Sequence, residues 1–533
     1  MINSLYTAKS GLSTSKYSVD VTSNNIANEN TAGYVKRTVN TSELPELEND
    51  IGNGVSFDGV TRNTSVYLYD KLVSQTNVAS YYEQEDSILS NLEIMFSETE
   101  TSGLSTTLST FFNSVESLRA DSTNLIYQND LATQSQSLVD GLQTLNDELD
   151  DALDTTTQKL EDQVDTVNNI LEQIVYLNKQ IVESNTDSND LLDKRDALEK
   201  ELSSYVDIEV SRDNDTYNLK IAGVNVIFNN TNLHEVSISE NNIAQKNIYN
   251  SSDLNDSNFS DGDEISIVLN GTTTLTLSAN VSGTDENELK NQIINEINTN
   301  SKFSDYTAYL DSSKNLVIKS NTEAEEGEFD ISISVATNEI SKNANSVEAQ
   351  NNVSLAVYNN KLSLSGGSLK AITQELTSST SNIYSYKNSL DAFAKALVDT
   401  VNSSTQTPLF KGSSVDTLSF EKDNITSLTS EDLENLAKIQ WDKSLTIGVT
   451  SNTSFSEFYQ NLLVTVSSNV ENNNFKLESQ NTIVNSLEST YNNLTKVDPD
   501  EEMINLLQYQ AAYEANAKVI TAVDEMLQTL LAM

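Results

Sequence analysis

Both ends of the chain carry a narrow helical seam, in which mainly apolar residues recur at alternating spacings of three and four. The N-terminal seam consists of Leu5, Ala8, Leu12, Ser15, Val19, Thr22 and Ile26, and the C-terminal seam of Leu506, Tyr509, Tyr513, Asn516, Ile520, Val523, Leu527 and Leu530. This alternation places each set along one face of an α-helix. Both seams are diluted with polar and small residues, so neither helix buries enough surface to be stable alone in water. The terminal helices therefore need each other, or neighbouring molecules.

Similar seams lie inside the chain. One runs through Leu138, Leu142, Leu145 and Leu149, and a second, after a Thr-rich break at 154–158, through Leu160, Val164, Val167, Leu171, Ile174, Asn178 and Ile181. A shorter amphipathic helix is predicted over 191–206, and a later long helix from Ile383, Tyr386, Leu390, Phe393, Leu397 and Val401. These seams predict a helical, rod-like part of the protein.

The middle of the chain has a different period. Residues 206–367 alternate with period two between clusters of turn residues, which is typical of β-strands, and one helix interrupts them at 285–300. The fold class predicted is multidomain α+β, with long helices in coiled-coil-like bundles and an inserted, mostly β outer region. Four parts are expected: a terminal coiled-coil core (1–44 with 498–533), a helical domain (45–205 with 368–497), a β domain (206–235 with 352–367) and an inserted mostly β domain (236–351).

Composition excludes several classes of function. With 31 Lys and Arg against 79 Asp and Glu the formal charge is −48, which repels nucleic acid phosphates and anionic lipid headgroups. No cysteine is present, so thiolate nucleophiles, Cys-ligated metals and disulfides are excluded. The one histidine, His234, sits in an exposed strand or the turn before it. We therefore expect no catalytic residues, metal site, cofactor, nucleic acid or membrane partner, and no enzyme activity.

The N-terminal residues contain no apolar run of 7 to 15 residues after a basic region, so they do not form a cleaved signal peptide. No stretch approaches the roughly 20 apolar residues of a membrane span. The expectation is a cytoplasmic protein, or one exported by a route that reads no cleaved signal.

An acidic loop, SSDLNDSNFSDGDE at 251–264, offers an alternative of another class, a metal-binding cell-surface adhesin. Calcium sites need about six to eight oxygen ligands, and this loop lacks the D-x-[DN]-x-[DN]-G order of a known calcium loop. Its DGDE could also supply paired carboxylates to an enzyme, but no pattern of a pocket accompanies it. A solvated loop is the favoured interpretation.

Residues 24–38, NNIANENTAGYVKRT, follow the N-terminal seam and contain turn-forming residues. Asn28, Asn30 and Gly33 suit positions at the end of a helix, because asparagine tolerates the left-handed conformation and glycine adopts it freely. An extended segment is predicted after Gly33. The residues alone indicate a helix end followed by a turn.

The stretch SNNIANENTAGYVKR also resembles the N-terminal signature of bacterial flagellar axial proteins, and residues 501–533 resemble their C-terminal helix. The residues that carry the motif are Asn24, Asn25, Ala27, Asn28, Thr31, Gly33 and Tyr34. The inner segments NDLLDKRDALEKELSSYVDIEV, GGSLKAITQEL and LDAFAKALVDTVN are similar to the flagellar hook-associated protein 1 family. The resemblance covers 1–235 and 354–533. A hook or distal rod subunit is the alternative within this class.

This resemblance implies a structural subunit at the junction between hook and filament. In that family the terminal helices pair in the inner core of a tubular assembly, and the turn after the first helix leads the chain outward. The interface is expected to include Leu5, Leu12, Val19, Ile26, Tyr513, Asn516, Ile520, Val523, Leu527 and Leu530. The implied partners are copies of the chain itself, the hook protein, the next hook-associated protein on the filament side, and an export chaperone. The implied location is the extracellular flagellum, reached through type III export.

Overall fold

Helices dominate the computed structural model, which describes residues 2–45, 52–99, 103–184, 188–213, 216–240, 246–251, 264–269, 273–278, 288–300, 303, 306–310, 316–320, 331–335, 338–342, 345–347, 352–358 and 360–531. The described helices are α1 (Ile2–Ala27), α2 (Val66–Met95), α3 (Leu104–Ala120), α4 (Leu125–Glu183), α5 (Asn189–Tyr205), α6 (Glu288–Thr299), α7 (Ser368–Glu375), α8 (Asn382–Ser403), α9 (Ser430–Ile439), α10 (Phe455–Thr495) and α11 (Pro499–Leu531).

The strands are short and pair antiparallel. They are β1 (Arg37–Glu43), β2 (Val55–Arg62), β3 (Ile208–Asp213), β4 (Thr216–Ile221), β5 (Val224–Phe228), β6 (Asn232–Leu233), β7 (Val236–Glu240), β8 (Lys246–Ser251), β9 (Glu264–Leu269), β10 (Thr273–Ser278), β11 (Tyr306–Leu310), β12 (Leu316–Ser320), β13 (Ile331–Val335), β14 (Asn338–Lys342), β15 (Asn345–Val347), β16 (Val353–Val357), β17 (Asn360–Lys361), β18 (Phe410–Lys411), β19 (Ser419–Phe420), β20 (Leu445–Ile447) and β21 (Thr450–Thr453). The predicted multidomain α+β class is confirmed.

The chain divides into two compact units. The first contains residues 1–237, 355–372 and 389–533, and the second residues 238–354 and 373–388. In the second unit, four-stranded sheets form in the orders β10-β9-β13-β14 and β11-β12-β8-β15. The predicted helix at 285–300 is present as α6, and the Asn298 side chain exchanges two 2.8 Å hydrogen bonds with the backbone of Ala308 on β11. The finer division into four parts stays a prediction.

The core of the first unit is built from the inner seams. Every member of the seam in α4 from Leu138 to Asn178 is buried, because its apolar side chains face other helices. The predicted break at 154–158 is wrong, since these residues lie inside α4, which is one helix of 59 residues. Thr156 and Thr157 donate hydrogen bonds of 2.6 and 2.9 Å to the carbonyls of Ala152 and Leu153, four residues back. These bonds satisfy both hydroxyls inside the helix.

Helices α2 and α10 form an antiparallel pair next to α5. Asn473 donates a 2.9 Å hydrogen bond to the Tyr82 carbonyl, and about two turns further along, Gln480 donates a 3.1 Å bond to the Gln75 carbonyl. Both amides are buried, so each must find a partner across the helix interface. This pair places the hairpin β1–β2, which precedes α2, beside the beginning of α11, which follows α10.

Candidate functional site

The two terminal helices pack against each other in antiparallel orientation. Near the start of α1, a Cβ atom at Gly11 would lie 2.9 Å from the side-chain amide of Asn516. Near its end, Asn25 Nδ2 donates a 2.9 Å hydrogen bond to Glu502 Oε2. From the first contact to the second, the residue number rises from 11 to 25 on α1 and falls from 516 to 502 on α11. The two helices therefore run in opposite directions, and these contacts fix their register. The absence of a side chain at Gly11 lets the helices approach closely.

The predicted interface residues differ in how far the chain itself buries them. On α1, Ala8, Ser15 and Thr22 are buried, and the larger Leu5, Leu12, Val19 and Ile26 are half-buried. On α11, Val523 is 4% exposed, Asn516, Ile520 and Leu527 are half-buried, and Tyr513 and Leu530 are exposed. The pair is therefore formed within one chain, but much of its apolar surface stays in contact with water. The role of these residues in an assembly stays a prediction.

A second seam on α11 was missed in the sequence analysis. It consists of Ile504, Leu507, Ala511, Ala515, Val519, Ala522 and Met526, and every member is exposed. Most of its members lie one position before a residue of the first seam, which rotates it by about 100° around the helix. Its spacing of three and four could have been read from the sequence. We call these seven residues the outer seam of α11.

The Asn-rich stretch after α1 forms a turn held by its own side chains. Tyr34 donates hydrogen bonds of 2.8 Å to Asn25 Oδ1 and 3.2 Å to Asn24 Oδ1. Asn28 Nδ2 donates bonds of 2.9 and 3.0 Å to the carbonyl and side-chain oxygens of Asn24, and Asn28 Oδ1 accepts a 3.2 Å bond from the Thr31 hydroxyl. Five of the motif residues, Asn24, Asn25, Asn28, Thr31 and Tyr34, are therefore joined to one another by side-chain hydrogen bonds.

The predicted left-handed conformation of the asparagines in this turn is wrong, although the turn itself is present. Gly33 adopts a left-handed conformation with φ of +78°, as expected. Asn28 and Asn30, both described, are not among the residues with positive φ. Asn28 acts instead through its side chain, which bonds back to the last turn of α1. The predicted extended segment after Gly33 is present and leads into β1.

Asn25 connects α1, α11 and the strand that follows the turn. It is 1% exposed, and its side chain exchanges bonds of 2.9 and 3.1 Å with the backbone of Arg37 in addition to the bond with Glu502. Glu502 is 2% exposed, and Lys36 Nζ lies 3.2 Å from its Oε1. Burial alone lowers the pKa of Lys36, but hydrogen bonds to Glu501 and Glu502 outweigh this effect and leave the pKa raised. We call Asn25, Lys36 and Glu502 the basal node.

The hairpin β1–β2 also packs on α1. Phe57 stacks on Tyr17 with ring centroids 4.3 Å apart, and the Val55 amide donates a 3.2 Å hydrogen bond to Ser10 Oγ. The terminal helix pair is thus joined to the rest of the first unit through the hairpin as well as through the turn.

Candidate catalytic chemistry is sparse in the part of the chain that the structure describes. His234 packs on Tyr358 with ring centroids 4.4 Å apart, and no group of three His, Asp or Glu side chains there could hold a metal ion. Most of the acidic loop at 251–264 (residues 252–263) lies outside the described residues. None of the described helices combines the length and apolarity needed to cross a membrane.

Comparison with known proteins gives matches at both chain ends and in the helical region. Residues 5–34 match a family model described as "Flagella basal body rod protein", and 488–533 match "Flagellar basal body rod FlgEFG protein C-terminal". Residues 89–268 match "Flagellar hook-associated protein FlgK helical domain". The motif at 24–34 and the outer seam of α11 lie inside the terminal matches.

Individual relatives with similar sequences agree with these matches. Flagellar hook-associated protein 1 of Bacillus subtilis is 29% identical over 220 residues, which are 39% of this chain and 43% of the relative. The proteins of the same name from Salmonella typhimurium and Escherichia coli are each 29% identical over 40% of this chain, and over 40% and 41% of their own. The chain thus aligns with less than half the length of these relatives.

A solved structure, that of the flagellar hook junction protein FlgK from Burkholderia pseudomallei, aligns with 79% of this chain and 99% of its own at 11% identity and a TM-score of 0.41. The similarity to flagellar hook-associated protein 1 that the sequence motifs indicated is confirmed by the family models and the relatives.

Proposed function

We propose, from the similarity of this chain to flagellar hook-associated protein 1, that it is a structural subunit of the bacterial flagellum that joins the hook to the filament. The observation that supports this most is the antiparallel pair of α1 and α11, which leaves every member of the outer seam of α11 exposed. A helix with a second unpartnered apolar face is typical of a surface that another protein covers. Copies of this chain, packed side by side, are the partner that we propose for it.

The inner helices favour the junction over the hook or the distal rod. The matches at 5–34 and 488–533 name rod proteins, so on their own they do not separate these alternatives. The match at 89–268 names the hook-associated protein, and it covers α3, α4 and α5, which carry the buried seams. A hook or rod subunit would share the chain ends without this helical region.

Partners and export follow from the same proposal. The subunit contacts copies of itself, the hook protein on one side and the next hook-associated protein on the filament side. It leaves the cell through type III export, and an export chaperone binds α11 before export. Its role is structural, with no enzyme activity, cofactor or metal, and no nucleic acid or membrane partner.

The pair of α1 and α11 is the assembly core in this proposal. Val523 is the most buried residue of the C-terminal seam, whereas Met526 is half exposed on the outer seam. Val523→Asp places a carboxylate in the contact between α1 and α11, and Met526→Asp places one on the face proposed to meet neighbouring copies. A buried, unpaired carboxylate is strongly unfavourable or must bind a proton. Both variants should therefore be secreted but fail to stay on hooks.

The experiment is a deletion strain complemented with the wild-type gene, Val523→Asp, Met526→Asp or Thr521→Asp. Thr521 is exposed on the same helix, away from both seams, and so controls for the added charge. We expect bare hooks and secreted filament subunits in the deletion strain, rescue by Thr521→Asp, and no rescue by the other two. If the deletion strain carries filaments, or if it lacks hooks altogether, the junction assignment is rejected.

A further inference from the structure

Helix α5 presents four carboxylates at spacings of three residues: Asp190, Asp193, Asp196 and Glu199. Residues three apart lie near one another on a helix, so the set forms a continuous stripe that turns gradually around it. We call these four residues the carboxylate stripe. The spacing is visible in the sequence, but the arginines that meet it come from segments far apart in the chain.

Two of those arginines come from the hairpin β1–β2, where Arg37 and Arg62 are paired across the strands. Arg62 bridges two carboxylates, with its Nε 2.6 Å from Asp193 Oδ1 and its Nη2 bonded to Asp196. Arg37 likewise bridges Asp190 and Asp193, with a distance of 3.3 Å to Asp193 Oδ2. The hairpin is therefore attached to three successive members of the stripe.

The other end of the stripe meets the sheet β3–β6. Arg212 of β3 lies 3.4 Å from Asp196 and is bonded to Glu199, which also accepts a 2.9 Å hydrogen bond from the Tyr217 hydroxyl of β4. Arg195 of α5 itself lies 3.7 Å from Glu199 and donates a 2.9 Å bond to Asn178 of α4. Four arginines thus neutralise four carboxylates, and together these charges connect α5 with β1, β2 and β3.

The centre of this network is largely removed from water, whereas Asp190 at its end is 69% exposed. The side chains of Arg62 and Asp193 are each 9% exposed, and that of Glu199 is fully buried. Desolvation offsets most of the attraction in such pairs, so their net contribution to stability is small, but separating the partners leaves buried charges alone. Such a network penalises wrong arrangements far more than it stabilises the right one.

The geometry leaves the hairpin little choice of position. A slip of one residue along a strand moves the backbone by about 3.3 Å and turns every side chain to the opposite face. Either change would separate Arg37 and Arg62 from their carboxylates at once. The stripe also reaches the terminal helix pair, because the backbone of Arg37 is bonded to Asn25 of the basal node.

We propose that the carboxylate stripe of α5 is an alignment device, which fixes the position of the hairpin β1–β2 on the helical part and, through Arg37 and Asn25, the position of the base of the terminal helix pair. Arg37 and Arg62 are the positioning residues. Their role is to select one arrangement of the hairpin, and stability is secondary. The measurement below uses the isolated chain, so its outcome does not depend on the proposed flagellar function.

The lack of cysteine allows two spin labels to be placed without altering other sites. Labels at Thr38→Cys on β1 and Glu172→Cys on α4, both exposed, report the distance between the hairpin and the helical part by pulsed electron spin resonance. We expect one narrow distance distribution in the otherwise unchanged chain. Arg62→Met should broaden it at least twofold or add a second distance. Arg62→Lys keeps the charge but not the planar, two-pronged geometry, and should give an intermediate width.

Arg119→Met is the matched control, because Arg119 also lies against two carboxylates, Glu116 and Glu434, but is 43% exposed. It should leave the distribution unchanged. A wild-type distribution in Arg62→Lys and Arg62→Met would overturn the proposal, even if thermal stability falls. Should Arg62→Met not fold, Arg62→Lys decides alone: broadening supports the alignment role, and an unchanged width rejects it.

Discussion

Asn25→Asp changes one atom of the basal node and is predicted to open it at neutral pH. The substitution replaces the amide nitrogen that lies 2.9 Å from Glu502 Oε2 with an oxygen. Two ionised carboxylates at this distance repel by about 6 kcal/mol at an effective dielectric constant of about 20. Binding a proton at pH 7 to a carboxyl with an ordinary pKa of about 3.9 requires only about 4 kcal/mol. While the node is closed, one of the two carboxyl groups therefore binds a proton. This costs the closed node about 4 kcal/mol at pH 7 relative to the open one.

The same change also removes the bond that Asn25 donates to the Arg37 carbonyl, which adds about 1 kcal/mol. The cost of protonation depends on pH: about 4 kcal/mol at pH 7 becomes about 1.5 kcal/mol at pH 5, because each pH unit contributes about 1.4 kcal/mol. The folded variant binds one more proton than the unfolded one, so its stability falls as pH rises. Lowering the pH should close the node again.

Amide hydrogen exchange across residues 22–40 and 499–508 measures this local opening. We expect protection in Asn25→Asp to be lost at pH 7 and largely recovered at pH 5, after correction for intrinsic exchange rates. Asn24→Asp is the control, since Asn24 is exposed one residue away and its side-chain oxygen only accepts bonds. It should change the opening free energy by less than about 0.5 kcal/mol. Equal protection of Asn25→Asp and Asn24→Asp at pH 7 would refute the reasoning.

Three further predictions concern other parts of the chain. Gly367→Ala should destabilise by more than about 1 kcal/mol in denaturant unfolding, because Gly367 has φ of +85° and a Cβ would lie 2.3 Å from the Tyr205 carbonyl oxygen, whereas Gly141→Ala in α4 should be neutral or stabilising. Burial raises the pKa of Glu375 above its ordinary value despite hydrogen bonds from Asn382, so the stability of the wild type relative to Glu375→Gln should fall as pH rises through that pKa; a pH-independent difference would contradict this. Deleting 236–353 should leave secretion into the medium intact, and an immunoblot showing only intracellular protein would count against it.

Much of the helical core could be predicted from the sequence, because its seams are apolar and regular. Leu138, Leu160 and Leu390 are all fully or almost fully buried where the spacing placed them. Helix α10 was missed: its 41 residues are rich in Asn, Ser and Thr, and polar residues such as Asn473 and Gln480 lie on its buried face. An apolar period does run along its first half, through Phe455, Tyr459, Leu462, Val466 and Val470, but beyond Val470 buried amides with partners on another helix interrupt it.

The candidate functional site could also be predicted only in part from the sequence. The motif at 24–34 could be recognised, but the role of Asn25 could not, because its partners Arg37 and Glu502 are brought together only by the fold. The carboxylate stripe has a visible spacing of three, yet an acidic helix face is usually solvated, and nothing local indicates that Arg62 covers it. The spacing of polar residues in the sequence therefore does not show which distant residues they contact.

The location of the subunit on the flagellum tests the central proposal most directly. Antibody raised against the purified protein, with gold-labelled secondary antibody, can be applied to isolated hook-filament structures and viewed by electron microscopy. We predict a single narrow band of gold at the boundary between hook and filament, absent in the deletion strain. Label along the whole hook, along the filament, on the rod, or nowhere on the flagellum would contradict the assignment of this chain to the hook–filament junction.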